Sequence, residues 1–312
     1  MSISKNKNLN AAKSAKMDEF YTQITDIEKE LLHYKEHFKG KVVFCNCDDP
    51  EESNFWRYFE SNFDELGLKK LIATHFEREK PSYKLEISNG TGGEHTVVKT
   101  PLIQNGDFRS PECIEILKES DIVVTNPPFS LFREYVAQLM EYKKKFLILG
   151  NMNAITYKEI FPLIKDNKIW LGCLHKSIEF KVPKYYSPSV YRVDEDGNKY
   201  TMQNVRWFTN LDYKERHEDL ILYKKYNEIE YLKYDNYDAI NVDKINEIPI
   251  NYHKEMGVPI SFIDKYNPEQ FEIVGNLGSY GVDGYSLCSA IYINNKKMFK
   301  RILIKNKKVI TS

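Results

Sequence analysis

Asp121-Ile122-Val123-Val124-Thr125-Asn126-Pro127-Pro128-Phe129 begins as a short apolar strand and ends in a loop carrying an amide, two prolines and an aromatic ring. Ser130-Leu131-Phe132-Arg133-Glu134-Tyr135-Val136 follows and reads as the start of an amphipathic helix. Strand, polar loop and helix in that order form the repeating unit of a parallel sheet, because a crossover helix must cover the strand it leaves.

The same unit recurs on both sides. Lys41-Val42-Val43-Phe44-Cys45 is a strand ending in Asn46-Cys47-Asp48-Asp49-Pro50, with a helix expected over Phe55 to Phe63. Leu68 to Thr74 is a second strand that closes near His75-Phe76-Glu77, and Lys145 to Leu149 is another that ends in Gly150-Asn151-Met152-Asn153. Helices are expected over Asp18 to Phe38, with Ile24, Ile27, Leu31 and Leu32 on one face, around Cys113 to Lys118, and over Tyr157 to Ile164. A polar stretch from Lys80 to Gly93 joins two elements through a small hairpin. The pattern predicts an α/β fold with a doubly wound, mostly parallel sheet, in which ligands lie beyond the carboxyl ends of the strands. Every polar cluster named above sits at such an end.

From Ile169 the pattern changes. Trp170-Leu171-Gly172-Cys173 and Val205-Arg206-Trp207-Phe208-Thr209 read as an antiparallel edge, flanking a polar loop with an Asp196-Gly197 turn signal. Beyond Tyr226 the chain becomes Tyr-, Asn- and Lys-rich with short strand-like pieces. Three parts are therefore expected: a flexible basic tail over 1–17, the sheet domain over 18–225, and a small separate region over 226–312.

Composition bounds the function. The 312 residues are 42% hydrophobic, enough for a sizeable core. No apolar run approaches the length needed to span a bilayer, and the polar amino terminus lacks a secretory signal, so a cytoplasmic location without a membrane partner is expected. The five cysteines are scattered without a CxxC pair, which predicts reduced thiols and no metal site. Forty-five basic residues balance forty-five acidic ones. Local charge is uneven: Met1 to Met17 hold four lysines and no acid, and Asn295 to Lys308 hold six lysines and one arginine, again without an acid. The second cluster is either a solvated edge hairpin or a phosphate-contacting surface, with Met298, Phe299, Ile302 and Ile304 alternating through it.

The residue types after the central strand point to a chemistry. An aromatic exocyclic amine is a poor nucleophile because its lone pair is delocalised into the ring. Acceptors fixed beside its two N–H bonds favour the pyramidal nitrogen that attacks. The Asn126 side-chain oxygen and the Pro127 carbonyl supply two such acceptors, the prolines stiffen the turn, and Phe129 stacks on the base. The incoming group is the methyl of S-adenosylmethionine, reactive enough that positioning carries most of the work and no metal is needed. A Pro-Pro turn that merely closes a strand is the alternative. The strand before the tetrad and the helix after it favour the catalytic reading.

An adenosine cofactor at the first strands needs a carboxylate near the end of the second strand for its ribose and a tight first turn for its methionine portion. Glu77 and the stretch Asn46 to Pro50, including Asp48 and Asp49, are the candidates. Asp107 would accept from the cofactor adenine amine while Phe108 packs on its face. Glu77 and Asp107 as ordinary cap or surface acids are the competing reading.

The chain resembles the adenine-specific DNA methyltransferases of the EcoRI modification-methylase type over nearly its whole length. The resemblance rests on Asp18-Glu19-Phe20-Tyr21-Thr22, Phe44 to Pro50, Ser53-Asn54-Phe55, Asp121 to Phe129, Arg206-Trp207-Phe208-Thr209-Asn210-Leu211, Gly257-Val258-Pro259-Ile260-Ser261-Phe262 and Lys265 to Glu272. It implies the S-adenosylmethionine-dependent methyltransferase type of sheet, with 18–225 as the catalytic domain, and methyl transfer to N6 of adenine in duplex DNA. It further implies that Asn126, Pro127, Pro128 and Phe129 form the catalytic loop. Phe20, Tyr21, Thr22, Asn46, Asp48, Asp49, Glu77, Asp107 and Phe108 would lie around the cofactor. A base inside a duplex cannot reach such a loop, so the adenine must be flipped out. Residues 226–312 would then be the target-recognition region, with Lys296, Lys297, Lys300, Arg301 and Lys305 on DNA phosphates. A cognate restriction endonuclease, where one exists, would act as a separate partner. One departure is that the glycine-rich first turn common in methyltransferases is replaced by Asn46-Cys47-Asp48-Asp49-Pro50. The rivals are a methyltransferase acting on an RNA base or a protein glutamine, and an inert DNA-binding protein of the same fold.

Overall fold

Three strands of near-continuous apolar sequence, β2 (Val42–Cys45), β6 (Ile122–Thr125) and β7 (Lys145–Asn151), are buried on both faces as only the middle of a covered sheet requires. The computed structural model describes residues 21–47, 49–77, 82–90, 94–182, 190–278 and 285–310. The basic tail over 1–17, Phe20 and Asp48 lie outside the described residues. The chain forms two units, Met1–Met152 with Gly172–Asp212, and Asn153–Leu171 with Tyr213–Ser312.

In the first unit β1 (Tyr21–Thr22) precedes a helix over Ile24–Leu31, and β3 (Lys70–Thr74), β4 (Tyr83–Asn89) and β5 (His95–Pro101) lie between β2 and β6 in sequence. The sheet runs β5-β4-β3-β2-β6-β7 and then Val205–Thr209. Within that run the four strands β3, β2, β6 and β7 are parallel to one another. β4, β5 and Val205–Thr209 are antiparallel, so the sheet is mixed. From β2 the chain builds outward through β3, β4 and β5 and then crosses back to β6, so the strand order reverses at β2. The hairpin expected within Lys80 to Gly93 forms but is longer: its first strand, β4, lies in that stretch, its second, β5, runs beyond it, and the two seven-residue strands extend the main sheet. Their alternation is weak because β5 is an exposed edge, where little burial imprints the sequence.

Helix caps fall where the side chains demand. Ser53 accepts from the Phe55 and Trp56 amides at the start of Asn54–Ser61, and Ser110 accepts from the Cys113 amide at the start of Pro111–Glu119, whose first position is proline. The first helix departs from the expectation. Its buried stripe is Ile27, Glu30, Leu31, Tyr34 and Phe38, while Leu32 is 60% exposed. A 3-10 turn over Leu32–Tyr34 rotates the stripe, and Glu30 replaces an apolar residue on it. The Glu30 carboxylate accepts from the Tyr34 hydroxyl at 2.8 Å and from the Cys173 and Leu174 amides at 2.7 and 2.8 Å. A Cβ at Gly172 would run into that carboxylate, so glycine is required there.

Burial pushes the Glu30 pKa up, against hydrogen bonds from the Leu174 amide, the Tyr34 hydroxyl and the Cys173 amide. The native state therefore holds this proton more tightly than the unfolded chain does. Between the ordinary carboxylate value and the higher folded one, stability falls as pH rises. The stability advantage of the parent over Glu30→Gln should accordingly shrink above about pH 4.5 and level off at the folded value. Urea unfolding across pH checks this, and a pH-independent difference would contradict it.

The second unit is built on a six-stranded sheet in the order Lys233–Tyr234, Tyr237–Asn241, Met256–Val258, Arg301–Asn306, Phe271–Leu277 and Ser286–Cys288. Arg301–Asn306 is paired on both sides, and Ile302, Leu303 and Ile304 are all fully buried. The basic cluster is thereby divided between a central strand and the hairpin before it.

Candidate active site

The tetrad leaves β6 at its carboxyl end. Pro127 is buried, and Pro128 opens a 3-10 turn over Phe129–Leu131 whose Leu131 amide donates to the Pro128 carbonyl at 2.9 Å. Two consecutive prolines fix φ and leave no N–H to satisfy, so the loop keeps its shape without a hydrogen-bond ladder. The helix over Phe132–Glu141 follows directly.

Two neighbours bind this loop to the first strands. The Cys47 amide donates to Thr125 Oγ1 at 3.3 Å, which ties the turn after β2 to the residue preceding Asn126. The Phe129 ring meets Phe180 edge-on at 6.4 Å, and Phe180 pairs across the strand register with Thr22 of β1. Tyr21, Thr22, Asn46 and the tetrad thus share one end of the sheet, where the strand order reverses. That position is where open α/β sheets place ligands, because the crossovers diverge there and leave a crevice.

The polar groups at this end are incompletely used. Asn46 is 2% exposed; its Oδ1 accepts from the Tyr135 hydroxyl, while its Nδ2 meets no partner among the described residues. Thr22 is 4% exposed, and its Oγ1 is likewise without a partner among the described residues, although its carbonyl accepts from Asn54 Nδ2 at 2.7 Å. Buried donors and acceptors left unmatched are costly, and a ligand with polar ends removes that cost. A carboxylate fits both atoms, because it accepts from the Asn46 amide nitrogen and from the Thr22 hydroxyl.

Sequence reasoning missed Tyr135. It is fully buried, its hydroxyl donates to Asn46, and its ring stands edge-on to Phe108 at 5.0 Å and 80°. It thus joins the first turn to the segment expected to hold the adenine. Its place on the buried face of the helix with Phe132, Val136 and Leu139 was legible; the partner of its hydroxyl was not. Phe108 is 4% exposed, and the Arg109 guanidinium lies 5.2 Å from its ring centre.

Asp107 is gripped by Arg109, whose Nε and Nη2 donate to its two oxygens at 2.8 and 2.7 Å while the Arg109 amide donates at 2.9 Å. Burial acts to raise the Asp107 pKa, but these Arg109 bonds outweigh it and hold the carboxyl below the usual range. Asp107 is therefore a fixed anion that keeps lone pairs for a further donor. Glu77 follows β3, and its amide donates to the Asn105 carbonyl at 2.8 Å. Gly106, at φ +78°, lets that segment approach: a Cβ there would strike the His75 carbonyl oxygen. His75, a second residue missed from sequence, sits between Asp49 and Glu77. Its Nδ1 is 3.1 Å from Asp49 Oδ2, within ion-pair distance but off hydrogen-bond alignment, and its Nε2 is 3.8 Å from Glu77 Oε2. The ring stacks on Tyr83, whose hydroxyl donates to Asp49 Oδ1 at 3.3 Å.

Residues 8–309 match the family described as adenine-specific methyltransferase EcoRI. The chain belongs to that family. It is 51% identical to the type II methyltransferase M.EcoRI of Escherichia coli, over 97% of this chain and 98% of the relative. It is 42% identical to the type II methyltransferase M.MpnI of Mycoplasma pneumoniae, over 96% of this chain and 98% of that one. No solved structure matches. Membership of this adenine-specific methyltransferase family carries the reaction class, site-specific methylation of adenine in DNA.

The cations expected on DNA lie in the second unit and divide into two groups. Arg301 donates to Asn241 Oδ1 at 3.2 Å and lies 3.4 Å from Asp243, and Lys305 is 3.1 Å from Glu255, so both are engaged within the unit. Lys296 and Lys297 are exposed in a hairpin and Lys300 is half-buried beyond it; none makes an ion pair among the described residues. No helix among the described residues is long and apolar enough to cross a membrane.

Proposed function

We propose that this chain transfers a methyl group from S-adenosylmethionine to the exocyclic N6 amine of an adenine flipped out of duplex DNA, at one short sequence, in the cytoplasm. The main sheet is read as the doubly wound methyltransferase type, with 18–225 as catalytic domain and 226–312 as the region that holds the opened DNA. A restriction endonuclease, where one accompanies the enzyme, acts separately on the same sequence.

The observation that carries the reading is the placement of the tetrad beside the Asn46-Cys47 turn at the point where the strand order reverses, with two buried polar atoms there left for a ligand. When bound, S-adenosylmethionine supplies a methyl group made electrophilic by its sulfonium centre. Thr22 and Asn46 would hold its amino-acid end, Glu77 its ribose, and Asp107 with Phe108 its adenine. Asn126 Oδ1 and the Pro127 carbonyl accept from the two N–H bonds of the target amine, holding the nitrogen so that its lone pair leaves conjugation with the ring. Phe129, braced against Phe180, stacks on the target base, offsetting the roughly few kcal/mol that unstacking and unpairing cost.

Mapping of modified adenines in DNA from cells expressing the chain tests this. Methylated adenines confined to one sequence context are expected. Unmodified DNA, or modification without a shared context, would overturn the reading.

A further inference from the structure

Tyr292-Ile293-Asn294-Asn295-Lys296-Lys297 forms a two-stranded hairpin with Tyr292 opposite Lys297 and Ile293 opposite Lys296. Its two central residues, Asn294 and Asn295, both have positive φ, at 50° and 63°. That is a two-residue turn with the twist of the flanking strands, and asparagine is among the few residues that tolerate it. Alone, so short a hairpin would be unstable in water.

The chain fastens it from below. Asp235 takes both tip amides, Asn294 N–H at 3.1 Å and Asn295 N–H at 2.8 Å, and its own amide donates to the Tyr292 carbonyl at 2.8 Å. Asn236 accepts from the Tyr292 amide and donates to the Ala290 carbonyl. Ile291 and Ile293 are buried with Tyr234, Leu277 and Leu303, and Met298 packs against them. Every anchoring group lies below the tip. Above it, the Asn294 and Asn295 side chains are exposed and make no hydrogen bond among the described residues. Lys296 and Lys297 are exposed without an ion pair among them, and Phe299 is 74% exposed just beyond. A surface turn needs only a permissive residue. A turn clamped through both of its amides, so that two carboxamides project beside two unpaired cations, is built to present them.

We propose that this hairpin enters a groove of the target duplex, with Asn294 and Asn295 reading base edges and Lys296 and Lys297 meeting the flanking phosphates. The inference rests on the DNA-methyltransferase reading above. A carboxamide pairs in two places with the N6 and N7 edge of adenine in the major groove, whereas a lysine on phosphate adds affinity without sequence information. The two parts of the hairpin therefore have separable effects.

Glycine tolerates positive φ, so Asn294→Gly with Asn295→Gly keeps the turn and removes both carboxamides. Binding of this variant to the methylated sequence and to duplexes with one base pair changed should be compared with the parent's, and thermal unfolding should match the parent's. Affinity for the correct duplex is expected to fall about tenfold or more while affinity for altered duplexes and the salt slope stay put. Lys296→Gln with Lys297→Gln should instead weaken binding to all duplexes alike and reduce the salt slope by about 1.8. A glycine variant that still discriminates as the parent does would overturn the role of the hairpin and leave the enzyme assignment standing. A parent that neither methylates nor discriminates among duplexes would overturn both.

Discussion

Replacing Asn126 with alanine should lower kcat for DNA methylation about 100- to 1,000-fold, the usual cost of removing one preorganised polar group aimed at the reacting atom. The substitution takes away one of the two acceptors that hold the target amine out of conjugation, and the Pro127 carbonyl alone cannot orient both N–H bonds. Cofactor affinity should be close to the parent's, because the groups read as holding the cofactor lie on β1, on the turn after β2 and on the segments following β3 and β5, not on the tetrad. Folding should also be preserved, since Asn126 is only partly buried and the prolines that shape the loop remain. Single-turnover methylation with calorimetric titration of S-adenosylmethionine separates these effects. Turnover near the parent's would remove Asn126 from the mechanism.

Tyr135→Phe has a different signature. The ring stays against Phe108, but the buried Asn46 oxygen loses its hydroxyl donor and keeps only the Cys47 thiol, a weak donor at 3.7 Å. An unsatisfied buried acceptor costs about 1–3 kcal/mol, roughly a 5- to 150-fold change in an equilibrium. The amide, held at its oxygen only by that thiol, would be freer to turn its nitrogen away from the ligand. The affinity for S-adenosylmethionine should fall about tenfold, with kcat at saturating cofactor and DNA binding nearly unchanged. Tyr135 acts through Asn46 and is a positioning residue. Loss of kcat together with melting temperature, at unaltered cofactor affinity, would reduce it to a packing residue.

The parts of the fold legible in the sequence were those where burial is two-sided. Val42 to Cys45, Ile122 to Val124 and Phe146 to Leu149 announce themselves because every position must be apolar. The edge strand His95–Pro101 did not, since its exposed residues carry no such imprint. Periodicity placed Leu32 on the apolar face, whereas the structure exposes it and buries Glu30. A carboxylate can be buried when backbone amides from a distant segment meet it, and no local pattern encodes that meeting. The tetrad was readable because its chemistry and its strand context lie in consecutive residues. The roles of Tyr135 and His75 depend on hydroxyl and ring partners that the sheet brings together from elsewhere in the sequence. The C-terminal basic cluster was visible as charge alone; its division into an anchored strand, holding Arg301 and Lys305, and an exposed hairpin, holding Lys296 and Lys297, required the fold.

The central claim is that the loop after β6 presents an adenine amine to a methyl donor. Digestion of duplex DNA to nucleosides after incubation with the purified chain and S-adenosylmethionine, followed by mass spectrometry, measures this directly. N6-methyladenine should be the sole new nucleoside, and it should be absent when S-adenosylmethionine is omitted. Methylated cytosine in its place, or DNA left unmodified by a folded chain, would contradict the account.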